Sequence, residues 1–317
     1  METASLPPPA RQRSPLIVTG LAGLVGSRLQ RLAAGRFELI GIDWDGRVGI
    51  DLTDPAQAQA AIEPHGSARG VIHLAAFTDV NAAHAQSGDE SGSCFRTNVL
   101  GTRNLVAACR AAGLPLIHVS TDFVFDGGRD EPYTEADAPA PIEWYGRTKY
   151  LAEEEVRRGG ASWTIVRIAY PYVAGRRRRE DFVSRLVRRL LSGERARLFD
   201  DQFTTPTLVD DVAMGLIALA SEWPGGETFH LVGSSWITPF EVGLRLVRLF
   251  GLDPGLVERG SLAAYARASP GGRPYHRSLK LSNQKWVAWA DRRGLAPPID
   301  IDEGLRRVHE AWEEVEV

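Results

Sequence analysis

Cysteine is nearly absent: only two of the 317 residues are cysteines. Cys94 and Cys109 fall fifteen positions apart in one predicted helical region, about four turns of helix, so they cannot pair within it. Both are expected to be reduced and buried, in a cytoplasmic protein. No apolar run is long enough to span a membrane, and the opening segment METASLPPPARQRS puts Pro7, Pro8 and Pro9 where a signal peptide needs its apolar stretch. Residues 1 to about 14 read as a mobile tail. A formal net charge of -3 supplies no basic field, which argues against a nucleic-acid partner. The one local concentration of positive charge is Arg176 to Arg179. The seven histidines show no metal-ligand spacing, so no catalytic metal is expected. No internal repeat or low-complexity tract follows the tail.

Hydrophobic residues make up 44% of the chain, enough for a large core and a second lobe within one two-lobed enzyme. Short apolar runs at Leu16 to Val18, Phe37 to Ile42, Val71 to Leu74 and Leu116 to Val119 read as strands. Between them lie helical patterns, Leu24 to Leu32 after the first and about Cys94 to Ala112 before the fourth, the latter closed by Gly113 and Pro115. A helix at Tyr145 to Arg158 and strands at Trp163 to Ile168 and Thr228 to Val232 continue the series. Strands alternating with helices predict the α/β class, a doubly wound parallel sheet joined by right-handed crossovers. The alternation lapses beyond about Tyr170. Residues 15–170 are therefore expected to form the sheet domain, and 171–317 mainly a smaller lobe, with a segment near 227–232 returning to the sheet.

Thr19 to Gly26 reads TGLAGLVG, three glycines set between the first strand and the first helix. Gly20 allows the tight turn, Gly23 lets a diphosphate approach backbone N–H groups, and Gly26 lets helix pack closely on strand. With Thr19, Leu24 and Val25 they form the expected dinucleotide cradle, and Asp43, ending the next strand, is placed to accept hydrogen bonds from the adenosine ribose. Its charge repels a 2′-phosphate, so among NAD(P)H cofactors NADH is slightly favoured. Arg28 and Arg47 oppose that preference if they point inward and have no bearing on it if they are solvated. Asp51 and Leu52 are expected to flank the adenine.

Tyr145 and Lys149 are four residues apart and so share one helix face. A tyrosine ordinarily titrates near 10, but a neighbouring ammonium and an oxidised nicotinamide both favour the phenolate, which suits proton exchange with a carbonyl oxygen. Such a pair occurs by chance in many helices. What sharpens it is Ser120-Thr121 at the end of an upstream strand, where a sheet's carboxyl edge places active-site hydroxyls. His73 and His118, inside predicted strands, are expected to be packed rather than catalytic.

TGLAGLVG, LAAFTDVNAA at Leu74 to Ala83, STDFVFDG at Ser120 to Gly127, YTEADAPAPIEWYGRTK at Tyr133 to Lys149, DQFTTPT at Asp201 to Thr207 and RPYHRSLKL at Arg273 to Leu281 follow in one order. In this the chain resembles the dTDP-4-dehydrorhamnose reductases, extended short-chain dehydrogenase/reductases, from about Leu16 to its C-terminal region. The resemblance implies Thr121, Tyr145 and Lys149 as the catalytic trio: Thr121 bonds the substrate carbonyl, Tyr145 protonates it, and Lys149 lowers the tyrosine pKa and holds the nicotinamide ribose. It further implies that Leu74, Ala75 and Ala76 line the cofactor, that Thr78, Phe123, Tyr170 and Arg273 meet the substrate, and that Asn98 is the asparagine of the following helix.

Several positions depart from the family pattern. Phe123 stands where tyrosine is common, Ala169-Tyr170-Pro171-Tyr172 replaces a usual serine-tryptophan-valine-tyrosine, Ala152 replaces a glycine, and Asn81 replaces an acidic residue. These changes bear on sugar recognition more than on hydride transfer. The expected substrate is a nucleotide-activated keto sugar of the dTDP-4-keto type, its diphosphate held by Arg273 and by the Arg176 to Arg179 run, which otherwise is a solvated loop. A homodimer is left open. Two rival readings remain: an epimerase or dehydratase that uses bound NAD transiently, and a non-catalytic NAD(P)-binding regulatory subunit resembling that of methionine adenosyltransferase.

Overall fold

The computed structural model describes residues 13–44, 49–175, 181–269 and 271–313. In chain order it runs β1 (Ser14–Thr19), α1 (Leu24–Ala33), β2 (Phe37–Ile42), α2 (Pro55–Ile62), β3 (Val71–His73), α3 (Val80–His84), α4 (Ser93–Phe95), α5 (Gly101–Ala112), β4 (Leu116–Thr121), α6 (Trp144–Arg158) and β5 (Trp163–Ile168). Then follow β6 (Pro171–Tyr172), α7 (Phe182–Leu191), β7 (Ala196–Phe199), β8 (Thr207–Leu208), α8 (Val209–Glu222), β9 (Glu227–His230), α9 (Pro239–Leu249), β10 (Val257–Gly260), α10 (Leu262–Ala268), α11 (Gln284–Asp291) and α12 (Ile301–Glu313). Ser14, counted with the tail in the sequence reading, already begins β1.

Six strands form one sheet in the order β2-β1-β3-β4-β5-β9, every neighbouring pair parallel. Side chains alternate across a strand, and here helices cover both faces, so both faces carry buried apolar residues. Leu16, Val18, Ile72, Ile117 and Phe229 face a core shared with Leu216 and Leu219 of α8 and Trp286 and Trp289 of α11. Ile17, Val71, Leu116 and Ile165 face the other way, against Ala61 and Ile62 of α2, Leu105 of α5 and Val156 of α6. From the later part of the chain, α8, β9 and α11 all pack with this sheet. The chain leaves β1 for β2 on one side and returns to β3 on the other, and such a reversal opens a crevice at the carboxyl ends of the strands.

A separate core lies beyond β5, where Val183, Leu186 and Leu190 of α7, Val242 and Leu246 of α9, and Leu305, Val308 and Trp312 of α12 meet around Tyr172. Two small parallel sheets, β7 with β10 and β6 with β8, brace it. Cys94 and Cys109 are both buried and free. Among the described residues no helix is long and apolar enough to cross a membrane, and no group of three or more His, Cys, Asp or Glu is placed to hold a metal ion.

Candidate active site

The glycine-rich turn sits in the crevice between β1 and β3. Gly20 has φ +73°, and a Cβ there would lie 2.7 Å from the Ala75 nitrogen, so the left-handed turn and the close approach of two strand ends both require glycine. Gly26 is equally confined, since a Cβ would lie 2.5 Å from the Gly20 oxygen, and this draws α1 tight against the turn. Gly23 is the N-cap of α1 and offers no side-chain cap to the first-turn N–H groups, which leaves a helix terminus suited to an anion. Thr19 secures the turn from below. Its hydroxyl accepts from Ala75 N–H at 3.1 Å and lies 2.7 Å from His73 Nδ1. Asp43 accepts from Ala22 N–H at 3.3 Å, which places its carboxylate at the lip of the same turn. Asp51 caps Thr53 N–H at 2.9 Å, and the Leu52 carbonyl accepts from Asn104 at 3.0 Å.

Farther along the sheet edge, β4 ends at Thr121, and α6 begins at Trp144 because Glu143 caps it, accepting from Tyr145 N–H at 2.9 Å and from Gly146 N–H. The two elements bring Thr121, Tyr145 and Lys149 together, all three buried. Thr121 donates to Asp122 Oδ1 at 2.9 Å and stands beside the Tyr145 phenol. Lys149 donates to the Val119 carbonyl at 2.8 Å and stands 3.4 Å from His118 Nε2. Asn98 ties the floor: its oxygen accepts from Phe77 N–H at 2.8 Å, and its amide donates to Thr148 at 2.9 Å.

Burial governs the electrostatics. It raises the Tyr145 phenol above its ordinary value, the neighbouring Thr121 hydroxyl works the other way, and Asp122, Glu143 and Cys94 add to the rise. Burial lowers the Lys149 ammonium to about 8. The Lys149 ammonium is turned to the Val119 carbonyl of β4. Burial also pushes Asp122 up to about 7 and keeps His73 (down to about 3) and His118 neutral, His118 also under the repulsion of Lys149.

Next to the trio opens a cavity of about 260 Å3, lined among others by Asp122, Phe123, Tyr170, Phe199, Arg273 and His276. Tyr170 has φ +44°, an unfavourable backbone for an aromatic residue. It is held by Thr207 N–H donating to its carbonyl at 3.3 Å and by edge contact with Phe182 at 5.2 Å. Arg273 lies over the Tyr275 ring at 4.0 Å and donates to Asn81 Oδ1 at 3.1 Å.

The structure thus brings Thr121, Tyr145, Lys149, Phe123, Tyr170 and Arg273 to one region, and Thr19, Gly20, Gly23, Gly26, Asp43, Leu74, Ala75 and Ala76 to the crevice beside it. Thr78 is exposed and does not line the cavity. Arg28 is neither solvated nor turned to the cofactor lip, because Asp210 at the start of α8 takes two of its N–H donors. Arg47 and Arg176 to Arg179 lie outside the described residues. Sequence reasoning missed Asp122, Glu143 and His276. The position of Glu143, directly before a helix whose first turn carries Tyr145, was a capping signal in plain view; Asp122 and His276 stood inside quoted motifs with nothing to mark them.

The sequence matches the family described as RmlD substrate binding domain over residues 14–293. A dTDP-4-dehydrorhamnose reductase of Mycobacterium tuberculosis is 35% identical over 291 residues, 89% of this chain and 88% of that one. A dTDP-4-keto-6-deoxy-D-glucose reductase of Streptomyces niveus is 34% identical over 76% of this chain and 80% of its own. The crystal structure of dTDP-4-dehydrorhamnose reductase from Bacillus anthracis in complex with NADP superposes with a TM-score of 0.81, covering 96% of this chain and all of that one; at 24% identity this is evidence of fold. The chain belongs to the dTDP-4-dehydrorhamnose reductase family of extended short-chain dehydrogenase/reductases.

Proposed function

We propose that this protein is an NAD(P)H-dependent reductase of the keto group of a nucleotide-activated sugar, of the dTDP-4-keto-6-deoxy type. The observation that carries the reading is a buried phenol, Tyr145, set beside Thr121 and Lys149 at the sheet edge, close to a cavity and to a glycine cradle. The cradle fits a dinucleotide: the uncapped start of α1 and the Gly20 turn receive the diphosphate, and Asp43 receives the adenosine ribose. When bound, the reduced nicotinamide supplies the hydride. Thr121 orients the substrate carbonyl, and Tyr145 donates its proton to the oxygen as negative charge develops there. Lys149, anchored on the Val119 carbonyl at the edge of β4, holds the nicotinamide ribose.

The reading is tested by incubating the protein with dTDP-4-keto-6-deoxyglucose and NADPH or NADH. A reductase consumes one cofactor per product, whereas turnover of a nucleotide sugar with an unchanged cofactor pool would make the protein an epimerase or dehydratase. No turnover, together with a stable partner protein, would favour a regulatory subunit.

Two substitutions probe the cofactor and substrate ends. Asp43→Ala removes a carboxylate from the ribose lip, so the ratio of kcat/KM for NADPH over NADH is expected to rise about tenfold, the effect of roughly 1.4 kcal/mol of relieved repulsion. A native enzyme that already prefers NADPH strongly would show that reading of Asp43 to be wrong. Arg273→Ala removes a candidate partner of the substrate diphosphate; one charge-assisted contact in a sheltered site is worth about 1.5 to 3 kcal/mol. KM for the nucleotide sugar is then expected to rise by roughly one to two orders of magnitude with kcat little changed. The same ketone without its nucleotide should be indifferent to the substitution, and equal wild-type efficiency on both forms would sink the nucleotide-sugar assignment while sparing the reductase.

A further inference from the structure

His276 is 2% exposed and lines the cavity, yet its Nε2 has no hydrogen-bond partner among the described residues. A buried polar atom without a partner is unfavourable and calls for an explanation. The ring is not there by loose packing. It meets Phe123 edge-on at 4.6 Å, and Phe123 in turn meets Tyr145 edge-on at 5.7 Å, so the imidazole is one aromatic ring removed from the proton donor. Its backbone is clamped on both sides: the His276 carbonyl accepts from Gln202 at 3.0 Å, Phe203 N–H donates to Arg277 at 2.8 Å, and Ser278 N–H donates to Gly127 at 3.0 Å. Asp122, also 2% exposed and lining the same cavity, has a second unpartnered atom, Oδ2. Apolar Phe199, Phe203 and Leu279 line the same cavity together with polar Arg197, Gln202 and Thr204, a mixed wall of the kind that takes a sugar ring.

We propose that His276 is a specificity-determining residue whose Nε2 hydrogen-bonds a ring hydroxyl of the sugar away from the reacting carbonyl, with Asp122 Oδ2 available to a second hydroxyl. This rests on the reductase reading and names the feature of the sugar that the site selects. A hydroxyl is the group that answers either tautomer of a neutral imidazole, since it donates to a lone pair and accepts from an N–H. The ring is neutral at working pH because burial, then the charge of Arg273, brings it down to about 4.

The test compares dTDP-4-keto-6-deoxyglucose with its analogues lacking the hydroxyl at C2 or at C3, on wild type, His276→Phe and His276→Gln, with NADPH binding measured as a control for folding. In the wild type at least one deoxy analogue is expected to lose tenfold or more in kcat/KM. His276→Phe should lose a similar factor on the parent sugar, chiefly in KM, and should no longer distinguish that analogue; His276→Gln should recover part of it. Wild-type kcat/KM on both analogues within about threefold of the parent, or an unchanged KM in His276→Phe, overturns the proposal. The wild-type comparison decides alone if the variant does not bind NADPH. If the wild type fails to reduce the parent sugar, the reductase reading falls separately, and calorimetric binding of the parent and analogues to wild type and His276→Phe still decides the role of His276.

Discussion

Replacing Tyr145 with phenylalanine is expected to lower kcat by about a hundredfold to ten-thousandfold, the range that a positioned general acid supplies. The substitution is clean because the ring has its own supports. Edge contact with Phe123 at 5.7 Å and burial with Ala83 and Cys94 are contacts of the ring, which phenylalanine keeps. The backbone N–H still caps onto Glu143. What disappears is one hydroxyl, on the side of the ring next to Thr121. Lys149, anchored on the Val119 carbonyl rather than on the phenol, has no reason to move, so the dissociation constant for NADPH should be unchanged. The measurement is steady-state kcat alongside a fluorescence titration of NADPH. A variant that keeps near-normal kcat removes Tyr145 from the mechanism; one that also loses cofactor affinity shows that the hydroxyl, not only Lys149, holds the ribose.

The strands of the main sheet were legible because their signal is local. Phe37 to Ile42 and Trp163 to Ile168 appear in the structure with the boundaries read from the sequence, and Gly113 ends its helix as expected. The four short strands β6, β7, β8 and β10 were not legible. Each has two to four residues and pairs with a partner far along the chain, as Val257 does with Ala196, and no periodicity records such a pairing. That Thr121, Tyr145 and Lys149 lie together at the sheet edge was legible from spacing and motif; what surrounds them was not. Spacing puts Lys149 and Tyr145 on one face of α6, but whether the ammonium pulls on the phenol depends on what else competes for it, and the Val119 carbonyl and His118 come from β4. Asp122 and His276 escaped for the same reason: an unpartnered atom is defined by what tertiary packing fails to supply.

The heaviest structural consequence attaches to a residue the sequence did not single out. Arg167 of β5 is 1% exposed and holds Glu153 of α6 in a two-pronged pair, Nε to Oε1 at 2.9 Å and a terminal nitrogen to Oε2 at 2.8 Å. Arg157 also donates to Glu153 at 2.9 Å. Burial alone would raise the Glu153 carboxyl above its usual 4.5, but the hydrogen bonds and charge of Arg167, with Arg157, outweigh it and hold it below. Glu153 follows Lys149 by one helical turn, and its charge favours the protonated lysine. Arg167→Met leaves a buried carboxylate with its main partner gone, and breaking such a pair costs about 3 to 5 kcal/mol. The sign of the pH dependence follows. In the wild type the depressed carboxyl contributes stability above pH 4.5 that is lost as pH falls through its folded value. In Arg167→Met burial raises the carboxyl instead, so the penalty is full at neutral pH and fades as the group is protonated on the way down to 4.5. Urea unfolding of both proteins at neutral and mildly acidic pH should therefore show a deficit that shrinks with acidification. The double variant Glu153→Leu/Arg167→Met, with no buried charge left unpaired, should regain most of the loss. A deficit under about 1 kcal/mol, or one independent of pH, would mean that Arg157 and solvent suffice for Glu153 and that the pair does not hold α6, with Tyr145 and Lys149 on it, against β5.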